Sequence, residues 1–234
     1  MAKRFLGAGA TGQFSRSTAD PPAPNVEDMN SIDSVTLEVA DTEAAARFYS
    51  DAFGLDGSRV RVRASDSPTS GFRGFTLSLV VSQPGNVDAL FSAAVDAGAT
   101  VLKPAAKSLW GYGGVVRAPD GTVWQIATSA KKDTAPVTRD VDEIVLLLGV
   151  EDVRATKRFY VEQGLTVGKS FGGKYVEFAT GPDTVKLSLY KRRALAKVAG
   201  VSAEGTGSHR LVVCGGTRPF DDPDGFTWQP DPGH

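Results

Sequence analysis

Two histidines, His209 and His234, and one cysteine, Cys214, are all the imidazole and thiol chemistry that this 234-residue chain carries. That count excludes an imidazole-rich metal site within one chain, a Cys-based zinc cluster and an intrachain disulfide framework. A lone cysteine fits a reducing compartment, so the chain reads as cytoplasmic. No Ser–His–Asp order, P-loop, HExxH or CxxC is present. Glu38 and Glu143 fall on or beside strand positions. Glu38 is a weak candidate general base if burial raises its pKa, although pairing with an arginine such as Arg61 or Arg63 is the commoner fate of such a group. Trp110 and Tyr112, set among Gly111, Gly113 and Gly114, can either stack on a flat ligand or cover the edge of a core. Lys191-Arg192-Arg193 reads as a solvated basic face. Gly7 to Gly12 spells G-x-G-x-x-G, but too few residues precede it for a feeding strand and Pro21-Pro22 soon ends any helix, so chance explains it.

The elements that must position these groups are short. Ser34–Val39 alternates polar and apolar, as a half-buried strand does. Asp41 then caps a helix running to Phe53, with Gly54 as its stop. Strands are expected at Arg59–Arg63 and Phe75–Val81. Val87, Leu90, Phe91, Ala94 and Val95 mark a second amphipathic helix ended by Gly98. Strands follow at Thr100–Leu102, Gly114–Arg117 and Thr122–Ala127, and later at Lys174–Ala179, Thr184–Tyr190 and Ser208–Val213. This is an α+β pattern. Residues 1–31 read as a disordered tail and 128–140, polar and holding Pro136, as a linker. With 26 basic and 27 acidic side chains the net charge is −1. That removes the electrostatic footprint of a nucleic-acid binder, and no apolar stretch approaches a membrane span.

The two halves, 32–127 and 141–230, share landmarks. Val39-Ala40-Asp41 returns as Val150-Glu151-Asp152, Arg47-Phe48-Tyr49 as Arg158-Phe159-Tyr160, and Gly54-Leu55 as Gly164-Leu165. Pro119-Asp120-Gly121 with Trp124-Gln125 returns as Pro223-Asp224-Gly225 with Trp228-Gln229. Landmarks repeating in one order mean a duplicated unit. The pattern resembles the vicinal oxygen chelate (VOC) superfamily, which includes glyoxalase I, bleomycin-resistance proteins and extradiol dioxygenases.

The resemblance implies tandem βαβββ modules forming cup-shaped, half-open barrels. It also implies that a first-strand His and a last-strand Glu from each module would converge on a divalent ion. Counted from the landmarks, those positions here are Ser34, Thr76 and Val145 for the histidines and Gln125 and Gln229 for the glutamates. None is a His or a carboxylate. His209, on the expected strand 208–213, and Gln229 remain weak metal candidates, and a hydrogen-bonded strand histidine is the better reading of His209. The second half runs from Val213 to Asp224 with no second helix, so a cup built from it alone is expected to be incomplete. No cofactor is expected, with a divalent metal as the alternative.

The function this implies is metal-independent binding of a small apolar or aromatic molecule, of the sequestration or resistance type. Thr36, Thr76, Trp110, Tyr112 and Gln125 would contact the ligand. The alternative is a metal-dependent lyase, isomerase or dioxygenase of the glyoxalase type with atypical ligands. The expected partner is a small molecule, with homodimerisation left open.

Overall fold

The computed structural model describes residues 31–109, 111–179, 181 and 183–231. The expectations for the tail up to residue 30, for Trp110 and for His234 lie outside the described residues. Four units follow one another. The first is β1 (Ser34–Val39), α1 (Thr42–Phe53), β2 (Val60–Ala64) and β3 (Thr69–Gly71). The second is β4 (Phe75–Val80), α2 (Pro84–Asp96), β5 (Thr100–Ser108), β6 (Gly111–Arg117) and β7 (Val123–Thr128). The third is β8 (Glu143–Val150), α3 (Val153–Glu162), β9 (Val167–Ser170), β10 (Tyr175–Phe178) and β11 (Lys186–Lys191). The last is α4 (Arg192–Ala199), β12 (Gly205–Gly207), β13 (Leu211–Cys214), β14 (Phe220–Asp221) and β15 (Thr227–Gln229).

Local signals explain the helix ends. Asp41 accepts from the Ala44 amide at 2.9 Å, satisfying a donor that the first turn leaves orphaned. Gly54, at φ 67°, supplies the left-handed stop. Asp152 caps α3 in the same way through Arg154 and Ala155.

Each of the two large sheets draws strands from both halves of the chain. One has eight strands in the order β5-β6-β7-β4-β8-β11-β10-β9, joined at its centre by antiparallel β4 and β8. The other has five, β14-β15-β13-β1-β2, joined by antiparallel β1 and β13. Alternation then sorts the side chains. Leu77, Leu79, Trp124, Ile126, Ile144, Leu146 and Leu148 point with Val35, Leu37 and Val39 into one core shared with α1, α2 and α3. Thr76, Ser78, Val145 and Leu147 are left on the opposite, concave face of the eight-stranded sheet.

The repeated landmarks are staples in this core. The Tyr49 hydroxyl of α1 donates to Asp120 at 2.6 Å, and the Tyr160 hydroxyl of α3 donates to buried Asp222 at 2.5 Å. Each tyrosine ring also lies against the tryptophan that follows its turn, at 5.5 Å from Trp124 and 5.2 Å from Trp228. The linker is fastened too. The Gln83 side chain accepts from the amides of Thr134 and Ala135 and donates to the carbonyls of Ala135 and Pro136.

Two expectations are corrected. The basic run 191–193 is split: Lys191 and Arg193 are exposed as expected, while Arg192, at the start of α4, turns inward and donates to the carbonyls of Ala203 and Phe72. From Val213 to Asp224 no helix occurs, as expected, and the helix of the fourth unit, α4, comes before its strands. β5 runs on to Ser108 through Pro104, which an edge strand tolerates because its outer N–H groups have no ladder partner to lose.

Candidate functional site

Helix α4 lies in the cup of the eight-stranded sheet. It leaves β11 directly and crosses the concave face, where Leu195 and Ala196 pack with Val145, Leu147 and Phe72. Ala199 packs with Val115 and Val123. Lys103 of β5 reaches its far end and donates to the carbonyls of Lys197 and Val198, both at 2.6 Å. A cation there complements the negative end of the helix dipole and adds a donor for the last carbonyls of the helix.

Strand register gives the centre of this cup. Gln125 lies opposite Ser78, Ser78 opposite Val145, and Val145 opposite Lys186. The β4 member of the row is therefore Ser78, and Thr76 sits two residues along, opposite Leu147. An amide, a hydroxyl, an isopropyl and an ammonium held by Glu143 at 2.9 Å do not fit a divalent ion, which needs several carboxylate, imidazole or thiolate donors.

The equivalent row of the five-stranded sheet is Ser34, Cys214 and Gln229. Its neighbouring carboxylate, Asp231, accepts from Ser34 at 2.9 Å and pairs with Arg61 at 2.9 Å. No group of three or more His, Cys, Asp or Glu able to hold a metal occurs among the described residues.

His209 is not on a strand, since β13 begins at Leu211. Its ring stacks on Phe226 with centroids 4.0 Å apart. Nδ1 lies 2.5 Å from the Arg73 carbonyl and Nε2 lies 3.1 Å from that of Asp224. Both nitrogens are aimed at backbone oxygens, so neither points toward a cluster of metal-ligating side chains among the described residues. Glu38 is the paired carboxylate of the commoner reading, 2.7 Å from Arg63.

The residues expected to share a ligand are divided. Thr36 is in the other sheet, with its hydroxyl 3.5 Å from the Cys214 sulfur. Tyr112 alternates onto the helix side of β6, and its hydroxyl donates to Asp88 of α2 at 2.7 Å; that bond raises its pKa. Neighbouring Gly114 shows how tightly that side is packed, since a Cβ there would lie 2.5 Å from the Phe91 ring. Thr76 is fully buried in the cup and its hydroxyl finds no partner among the described residues.

Gln125 fits best. It faces a hollow of about 400 Å³ beside α4 that is bounded by Lys103, Ala106, Lys107, Val115, Ala127 and Val198. Its Nε2 is buried with no hydrogen-bond partner among the described residues. Sequence reasoning found Gln125 through the repeat, and missed α4 and Lys103, which no repeated landmark marks.

Comparison with protein-family models gives no match, and comparison with curated proteins gives none. Solved structures do match. Glyoxalase I from Zea mays superposes with a TM-score of 0.57 at 13% identity, covering 86% of this chain and 91% of that one. A protein from Bacillus subtilis described as a candidate dioxygenase superposes with a TM-score of 0.52 at 13% identity, covering 84% and 72%. The chain therefore has the glyoxalase fold, the arrangement of βαβββ modules into half-open cups that its repeated landmarks resemble.

Proposed function

We propose that this protein binds a small planar molecule in the hollow beside α4, in the manner of a sequestering or resistance-type protein, and uses no metal there. The observation that carries the reading is the buried, unpartnered Gln125 amide at the centre of the cup. A buried donor without an acceptor costs about 1–3 kcal/mol, and a ligand carbonyl would recover that cost. The hollow falls in the size range of small-molecule sites. Ala106, Val115, Ala127 and Val198 offer apolar walls for a flat body, and Lys107 stands at the rim. A lyase or dioxygenase reading would need a metal held by the central row, and the side chains of that row do not suit one. Among the described residues no helix is long and apolar enough to cross a membrane, and we place the protein in the cytoplasm on the strength of its single cysteine.

Thermal shift of the wild type and of Gln125→Ala against planar aromatic carbonyl compounds tests the reading. A ligand at a hundred times its Kd adds about 2.7 kcal/mol to stability. Loss of one buried hydrogen bond weakens binding by roughly tenfold. Metal-dependent turnover of methylglyoxal–thiol adducts or catechols that Gln125→Ala abolishes would refute it.

A further inference from the structure

A second site lies outside the cup, around Arg73 on the short link between β3 and β4. The backbone of this link is held from the other half of the chain at three consecutive carbonyls. Phe72 accepts from the Arg192 guanidinium at 2.6 Å, Arg73 from His209 Nδ1 at 2.5 Å, and Gly74 from the Gly149 amide at 2.7 Å. The link is thus locked, and the Arg73 side chain is aimed by it.

That side chain is left with charge to spend. Nη2 donates to the Asp120 carbonyl at 2.6 Å. Nη1 is buried with no partner among the described residues, and so is the hydroxyl of Thr69. The Asp120 carboxylate is already committed, accepting from the Tyr49 hydroxyl and from the amide and hydroxyl of Thr122. Arg210 adds a further cation, and its guanidinium donates only to the neutral carbonyls of Ser65 and Ser67. Arg73 borders two hollows, and Arg117 lines one of them while Arg210 lines the other. No ion pair involves Arg73, Arg117 or Arg210 among the described residues. Burial, reinforced by Arg210 and Arg117 and opposed by Asp120, lowers the Arg73 pKa.

Two hollows share Arg73 and Thr69 as common wall. One, of about 360 Å³, has a mixed lining, with Ser70, Arg117, Thr122 and Glu204 beside Phe75 and Val123. The other, of about 320 Å³, is bounded by Ala44, Ala45 and Phe48 of α1 and by Pro119 of the turn between β6 and β7. A buried guanidinium with a free edge beside a free hydroxyl is complementary to an oxyanion, and the apolar hollow next to it can take a hydrocarbon body.

We propose that Arg73 and Thr69 anchor the carboxylate of a small organic acid whose apolar body occupies the hollow beside α1. Gly121 completes the fit. It sits at φ 90°, and a Cβ there would come within 2.9 Å of Arg73 Nη2, so a larger residue would push the guanidinium out of place.

Isothermal titration of the full chain with phenylacetate and, separately, with inorganic phosphate tests this, using the wild type, Arg73→Gln, Thr69→Val and Gln125→Ala. The wild type should bind phenylacetate at least tenfold more tightly than phosphate. Thr69→Val, which keeps the side-chain volume, should weaken phenylacetate about tenfold, and Arg73→Gln by a hundredfold or more. Gln125→Ala should leave it unchanged, which separates this site from the cup. No phenylacetate binding by folded wild type, equal or tighter binding of phosphate, or full binding by Thr69→Val would each overturn the proposal. So would an Arg73→Gln protein that melts earlier yet binds as tightly, because Arg73 would then be only a brace for the Asp120 turn.

Discussion

If α4 occupies the cup in solution, shortening Leu195 must be costly. Leu195 is fully buried between the helix and β8. Leu195→Ala removes three carbons, worth about 2.4 kcal/mol in transfer free energy at about 0.8 kcal/mol each. The floor beneath is a sheet clamped on both sides, so it collapses little and a cavity term adds to the loss. Leucine-to-alanine changes in such settings cost about 2–5 kcal/mol, and we take about 3 kcal/mol. For a chain of this size 1 kcal/mol moves the melting temperature by roughly 2–4 °C, so a fall of about 6–12 °C follows. Urea titration should show a lower midpoint at an unchanged slope.

The opposite case has the opposite sign. On a helix standing in solvent, alanine is the better helix former, and Leu195→Ala would be neutral or slightly stabilising. Val198→Ala is the internal control, because Val198 is 43% exposed on the same helix and should change stability by less than about 0.5 kcal/mol. A loss below about 1 kcal/mol for Leu195→Ala would refute the plugged cup, and with it the assignment of the ligand to the hollow beside the helix.

Further measurements bear on the staples. Tyr160→Phe removes the donor to Asp222 and the acceptor of the Trp228 indole N–H, which lies 3.2 Å away; two buried partners are lost and denaturation should show about 3 kcal/mol. Tyr49→Phe should cost about 1 kcal/mol, because Asp120 keeps both Thr122 donors. Asp222 has its pKa raised, chiefly by burial. The carboxyl therefore favours the fold fully below its unfolded pKa, and that contribution is lost as pH rises from there through the folded value. Urea midpoints from pH 4 to 7 should show this downward component, at most about 1.4 kcal/mol per pH unit, and Asp222→Asn should remove it. Gly121→Ala should lower stability by 1 kcal/mol or more, as a side chain is forced to positive φ against Arg73.

What the sequence shows clearly is local or repeated. Asp41 and Gly54 bound α1 because caps are read within one turn. The tandem landmarks stand out because Tyr49 and Tyr160 each tie a helix to the turn that closes the next module. Helix α4 escapes notice for an equally physical reason. Arg-Arg-Ala-Leu-Ala-Lys-Val-Ala spans two turns, has no side-chain cap and buries only Leu195, Ala196 and Ala199, too few residues to establish a period. The face that the Tyr112 side chain takes is hidden in the sequence, because the glycines around it obscure the parity of β6. Only pairing with β7, with Gly113 opposite Ala127 and Val115 opposite Gln125, shows which face it takes.

The candidate sites are harder to read for one further reason: both are assembled across the two halves. The centre of the cup is a seam between β4 and β8, and its register places Ser78, not Thr76, beside Gln125. Arg73 is aimed by Arg192, His209 and Gly149, which follow it in the sequence by 119, 136 and 76 residues. No periodicity reports such contacts, because each donor meets a backbone carbonyl, and a carbonyl leaves no mark in the residue type. The staples, by contrast, join side chain to side chain, and so they leave a motif. A chain can therefore keep its landmarks, and with them its fold, while the centre of its cup carries Gln125, Ser78, Val145 and Lys186, a row that does not suit a metal. The recognisable motif attests the scaffold, and the chemistry must be argued from the row of side chains in the cup.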